Sequence, residues 1–327
     1  MKKKYTTKIL GAKGLLDKEI KEYYGRLKDL RSSINSDSPS TQAQENLFEL
    51  TGGLRFFYQE WISNVKPYNI TPKKLIFVFH EAYGSSDIFF PLADVLGKEG
   101  FLIIGLDYRG HGRTGGQAGG HLGDIDNFDN IIDDYTSLIS SYEEKFDLPI
   151  IFIGYDIGAL IALKLAAKHP PKNLEGLIFI SPIIQLKDRL KHAFLYPALT
   201  IGKLFSKGNP VQPIIPEKME KTYYREYQEY AQNNPLRLKE MSLRMFKAIL
   251  QLIRQSKRLN KKINSPCMIL QGTKDTLVDV FAVHNFYNNW SHPNKKIRLY
   301  ENAGHNLLMD KFTNEIYEEI RLFINSI

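Results

Sequence analysis

Residues 149–162 read PIIFIGYDIGALIA, and this stretch decides the fold. Ile150 to Ile153 is an apolar, β-branched run that predicts a buried strand. Gly154-Tyr155-Asp156-Ile157-Gly158 is a tight turn, and Ala159-Leu160-Ile161-Ala162 opens a helix. Strand, turn bracketed by glycines and small-residue helix start form the elbow that holds its central residue strained and presents it as a nucleophile. The glycines answer to the sharp turn and to a helix packed close on the neighbouring strand. Serine is the usual central residue; here it is Asp156.

On either side of the elbow, apolar runs alternate with helical patterns. Leu75–Phe79, Phe101–Leu106, Gly176–Ile180, Cys267–Gln271 and Ile297–Tyr300 read as strands. Asp87–Leu96, Phe128–Phe146, the stretch from the elbow to Lys168, Val280–Trp290 and Phe312–Ile324 read as helices. Continuous apolar strands separated by helices predict a mainly parallel sheet covered on both faces, an α/β fold. Ahead of it, Leu47–Leu50 and Leu54–Ile62, turned at Thr51-Gly52-Gly53, predict an antiparallel hairpin. Between Ser181 and Ile263 only helical patterns occur. An insertion there reads as a cap over the strand ends, where such sheets place their ligand crevice. The expected organisation is an N-terminal helical extension and linker over 1–45, a first core part over 46–183, the cap over 184–263 and a second core part over 264–327.

The single cysteine, Cys267, excludes a disulfide framework and a cysteine-based metal site, and reads as a small buried apolar side chain. The N-terminal stretch MKKKYTTKILGAKGLLDKEIKEYY lacks the apolar run of a signal peptide. No window approaches the roughly 18 apolar residues of a membrane span, so a cytoplasmic protein is expected. The net charge of +8 comes from Lys187–Lys262, which holds 17 Lys/Arg against 6 Asp/Glu. That surplus is either a solvated helical surface or a source of weak attraction to anionic membrane headgroups. No nucleic-acid-binding motif accompanies it, and nucleic acid is not an expected partner.

An elbow needs a base and a group to orient it, at the ends of later strands. Asp275 follows the strand Cys267–Gln271 in Gly272-Thr273-Lys274-Asp275, and His305 follows Ile297–Tyr300 in Asn302-Ala303-Gly304-His305. The order nucleophile, acid, histidine is that of the elbow hydrolases. With Asp107-Tyr108-Arg109-Gly110-His111-Gly112-Arg113-Thr114-Gly115, Ser181-Pro182 and Asn234-Pro235-Leu236, these pieces span about residues 47–325 and resemble the α/β-hydrolase superfamily, in its monoacylglycerol lipase and lysophospholipase-like branch. The resemblance implies an eight-stranded sheet, a helical cap after the sixth strand and hydrolysis of an acyl-glycerol-type ester. It implies Asp156, Asp275 and His305 as the catalytic set and the backbone N–H groups of Ala82 and Ile157 as the oxyanion hole. No cofactor is expected, and the spacing of the carboxylates and histidine matches no metal-binding motif.

Two departures from that pattern stand out. The oxyanion segment, normally His-Gly, reads His80-Glu81-Ala82, and Glu81 is expected to turn its carboxylate to solvent. At the elbow, Asp156 needs no base to become nucleophilic. Against an ester carbonyl it would give a mixed anhydride; against an epoxide or alkyl halide carbon it gives an alkyl-enzyme ester that His305 and water can cleave. This is the logic of the epoxide hydrolase and haloalkane dehalogenase branches, which the elbow resembles in its Asp. Ile157 stands where Trp often helps a halide leave, so the dehalogenase is the weaker match. Epoxide opening needs a proton donor, for which Tyr83 and the cap residues Tyr223, Tyr224, Tyr227 and Tyr230 are candidates. Substrate contact is expected from His80, Glu81, Tyr83, Tyr223, Tyr224 and Tyr227. Three readings stay open: an Asp-nucleophile hydrolase of an apolar substrate, a monoglyceride or carboxyl esterase, and a catalytically silent ligand-binding homologue.

Overall fold

The computed structural model describes residues 41–50, 55–63, 72–115, 122–187, 210–211, 234–239 and 241–327. Eight strands form the sheet: β1 (Thr41–Glu49), β2 (Arg55–Ser63), β3 (Leu75–Phe79), β4 (Leu102–Leu106), β5 (Ile150–Tyr155), β6 (Leu174–Ile180), β9 (Cys267–Gly272) and β10 (Lys295–Tyr300). Their spatial order is β1-β2-β4-β3-β5-β6-β9-β10. The hairpin β1–β2 runs antiparallel and β2 meets β4 antiparallel; every other pairing is parallel. From β3 the chain first crosses to β4 on one side, then to β5 on the other. The ends of β3 and β5 therefore flank a topological switch point, where open α/β sheets leave a crevice.

Successive strand residues point to opposite faces, and here both faces are covered. Phe77, Phe79, Ile104 and Phe152 pack under α2 (Asp129–Glu143), α3 (Ile157–Lys168) and α4 (Leu243–Ser256). Their neighbours Ile76, Val78, Ile103, Ile151 and Ile153 pack under α1 (Phe90–Gly97) and α6 (Thr313–Ser326). The fifth helix, α5 (Val280–Asn288), lies on the first face with Val283 and Phe286 buried. Burying one such side chain stabilises the fold by ~1.5–3 kcal/mol, and β3, β4 and β5 are buried along their whole length. Cys267 is fully buried in β9, and burial pushes its thiol well above the usual range.

Several boundaries differ from expectation. β1 begins at Thr41, inside the segment assigned to the N-terminal extension. The expected helix from Asp87 is a 3-10 turn over Ser86–Phe89 followed by α1, whose first turn contains Pro91. A proline without an N–H is tolerated there and marks the α-helix start. The segment expected to be an all-helical cap contains a strand pairing: β7 (Pro210–Val211) runs antiparallel to β8 (Met241–Ser242) ahead of α4. The expected N-terminal helix over residues 15–30 and most of the cap lie outside the described residues. Among the described residues no helix is long and apolar enough to cross a membrane.

Candidate active site

The elbow forms as its glycines require. A Cβ on Gly158 would sit 2.1 Å from the Phe79 carbonyl oxygen, and one on Gly154 2.5 Å from Cα of Ala159. Close approach of α3 to β3 leaves no alternative. Asp156 between them has φ 59° and ψ −122°, a left-handed conformation that costs about 1–3 kcal/mol for a residue with a side chain. It is held by its N–H donating to the Ile180 carbonyl and by the Ala159 N–H donating to its own carbonyl. It caps the N-terminus of α3, where the helix dipole favours an anion.

Its carboxylate is split between two tasks. Oδ2 accepts a hydrogen bond of 2.9 Å from the Ala82 N–H, one of the two predicted oxyanion donors. Oδ1 faces His305, 3.4 Å from Nε2, an ion-pair distance outside hydrogen-bond geometry. His305 Nδ1 donates to Asp275 Oδ2 at 2.8 Å. Asp275 is fully buried and also accepts from Gln271 Nε2 and from the Leu277 and Val278 N–H groups, each at 2.8 Å. The three residues expected to act together thus meet at the ends of β5, β9 and β10.

Burial disfavours the charged imidazole of His305, but the carboxylates of Asp275 and Asp156 on its two sides outweigh it, and its pKa is raised well above the ordinary value. Burial likewise pushes Asp275 up, and its contacts with His305, Val278 and Gln271 reverse that, holding the carboxyl below the usual range.

Other positions fall differently from the sequence reading. His80 lies wholly inside the core. It is fully buried and stacked on Tyr108 at 3.7 Å, with Nδ1 on the Glu81 carbonyl and Nε2 accepting from the Tyr108 N–H. Burial, with His111 adding to it, keeps it neutral. Glu81 does not turn to solvent. It is 8% exposed, folded over the bare backbone of Gly84, with Oε1 3.9 Å from Arg237 Nη1. Arg237 belongs to the short cap segment 234–239, which is tied to the oxyanion loop by Leu238 N–H donating to the Tyr83 carbonyl at 2.7 Å. Its guanidinium lies 5.9 Å from the Tyr83 ring centre. The Tyr83 hydroxyl is buried with no hydrogen-bond partner among the described residues, and burial plus the Asp156 charge hold the phenol in its neutral form, against the pull of Arg237. Tyr223, Tyr224, Tyr227 and Tyr230 lie outside the described residues.

Four supporting residues carried no functional assignment from sequence. Tyr155 stacks on His305 and its hydroxyl donates to Asn306; Ser181 Oγ donates to the His305 carbonyl at 2.6 Å; Gln271 holds Asp275. Tyr155, Asn306 and Ser181 adjoin or belong to the quoted motifs, the one signal that pointed to them. In the RGHG segment, His111 contacts the Ala82 carbonyl at 2.8 Å and Arg109 forks onto Asp134. That motif braces the oxyanion loop.

Sheet order, elbow and the Asp–His–Asp line define an α/β-hydrolase. The chain belongs to the serine aminopeptidase, S33 family, whose pattern residues 70–312 match. It is similar to a monoglyceride lipase homolog of monkeypox virus, 26% identical over 254 residues that cover 76% of this chain and 87% of the relative. A monoglyceride lipase of Homo sapiens is 25% identical, covering 78% of this chain and 83% of the relative. Among solved structures, a soluble variant of monoglyceride lipase from Saccharomyces cerevisiae bound to a substrate analog superposes with a TM-score of 0.72 at 20% identity, over 86% of this chain and 95% of that one.

Proposed function

We propose that this protein hydrolyses an apolar, lipid-like substrate through an alkyl-enzyme ester on Asp156, by epoxide opening. One observation carries the reading: Asp156 Oδ2 already sits on the Ala82 N–H while Oδ1 faces the histidine. Oδ1 attacks the epoxide carbon, the carbon–oxygen bond breaks, and the released alkoxide takes the Tyr83 phenol proton. The Asp156 charge is thereby cancelled, His305 loses one of its two flanking anions, and its proton returns to Tyr83. Neutral His305, oriented by Asp275, then takes a proton from water as the hydroxide adds to Cγ of Asp156. The oxyanion forms on Oδ2, where the N–H groups of Ala82 and Ile157 stabilise it. Collapse frees the diol and restores the carboxylate and the imidazolium. The lipid-like character of the substrate is supported by the likeness to monoglyceride lipases.

Ester hydrolysis is the second reading, favoured by that same likeness. Against it stands the occupied hole, because an ester carbonyl would have to displace Oδ2 from Ala82. The test is a single turnover of a long-chain terminal epoxide in heavy-oxygen water, read by mass spectrometry of the peptide holding Asp156. Label in that peptide is the expected result. Label in the product alone, or ester cleavage that survives Asp156→Asn, would overturn the reading.

A further inference from the structure

The stretch that leads from the second short strand, β8, back to the sheet is chemically one-sided. From Met241 to Ser265 the sequence holds Arg244, Lys247, Arg254, Lys257, Arg258, Lys261 and Lys262, and no Asp or Glu. α4 turns Met245, Phe246, Ile249, Leu252 and Ile253 into the core shared with α3. Arg254 at its C-terminal end and Lys257, Arg258, Lys261 and Lys262 in the turn that follows are exposed. Arg244 is spoken for by Asp124. Among the described residues, no carboxylate pairs with Arg254, Arg258, Lys261 or Lys262.

A second, apolar feature lies beside this strip. Lys257 Nζ donates to Gln185, whose amide donates in turn to Asp279, the N-cap of α5. Two residues beyond that cap is Phe281, 73% exposed, the most exposed large apolar side chain among the described residues. An aromatic ring left in water at the edge of a basic strip matches the two halves of a bilayer interface: anionic headgroups, and the apolar boundary just beneath them.

We propose that the C-terminal end of α4, the turn over residues 257–262 and Phe281 dock this protein onto a bilayer containing anionic lipid. The occupant follows from charge complementarity and from the exposed ring together. Phosphate on a nucleic acid would satisfy the basic residues and leave Phe281 in water. The surface is separate from Asp156, so the inference holds or fails independently of the nucleophile's chemistry.

The full-length protein is to be sedimented with vesicles of phosphatidylcholine alone and with about a third phosphatidylglycerol. Binding is expected only to the anionic vesicles, and it should be lost near 0.5 M salt, where screening leaves a Debye length of only a few Å. Arg254→Gln, Arg258→Gln, Lys261→Gln and Lys262→Gln combined should weaken it by at least about a hundredfold. Phe281→Ala should weaken it severalfold without changing the salt dependence. Unchanged circular dichroism and melting in these surface variants keep the comparison free of misfolding. Equal binding of wild type and the fourfold variant, equal binding to both vesicle types, or binding to duplex DNA with none to vesicles would overturn the proposal.

Discussion

The charge on His305 depends on the carboxylate of Asp156 beside it. The raised histidine pKa comes from two carboxylates working against burial, so removing one lowers it. In Asp156→Asn the His305 imidazole should titrate at lower pH than in the wild type, as read by NMR of the ring protons, while turnover is abolished. The sign for stability follows from linkage. A histidine whose folded pKa lies above its unfolded value adds stability that is complete below the unfolded pKa and fades as pH rises through the folded one. Wild-type unfolding free energy should therefore fall on the alkaline side, and Asp156→Asn should fall less there in urea titrations at several pH values. The fate of Glu81 was not legible in the sequence. Its space comes from the missing side chain of Gly84 and its partner from the distant Arg237, and neither is visible in the His80-Glu81-Ala82 segment itself.

Gly158 tests the elbow as an element. A methyl group there meets the Phe79 carbonyl, a backbone atom that cannot rotate away, so Gly158→Ala should destabilise by about 1–3 kcal/mol or more, seen as a lowered melting temperature. The loop after β4 makes a second prediction. Burial, and then the nearby Asp87 carboxylate, push Asp107 up to about 7 despite hydrogen bonds from Ser86 and the Arg113 N–H. An acid raised in the folded state costs stability as pH climbs from its unfolded value towards that pKa. Asp107→Asn should flatten the stability profile between about pH 4 and pH 7. Elements of this kind were readable wherever apolar runs are continuous, as in β3, β4 and β5. The start of β1 was not, because TQAQENLFE lies at the sheet edge and carries polar residues where a central strand would be apolar. The two-residue pairing of β7 with β8 is too short to leave any periodicity.

At the scale of the whole molecule, one of the links between α4 and the sheet-covering helices runs through the side chain of Lys164. Nearly fully buried on α3, it donates to Gln255 of α4 and pairs with Asp129 of α2, each at 2.7 Å. Truncation by Lys164→Ala should empty that contact, and hydrogen exchange should show α4 losing protection more than β5 or β6. The sequence announced the sheet and the meeting of Asp156, Asp275 and His305 because each sits at a strand end marked by its own motif. The link to α4 it could not announce: Lys164 reads as one more lysine until α4 is laid beside it.

The carboxylate lodged on the Ala82 amide also bears on how this protein meets covalent reagents. Fluorophosphonates and boronic acids trap a hydroxyl nucleophile, and here the elbow offers a carboxylate whose Oδ2 already sits on the Ala82 N–H. A survey of hydrolases by such probes should pass over the wild-type chain. A single exchange, Asp156→Ser, should make it visible.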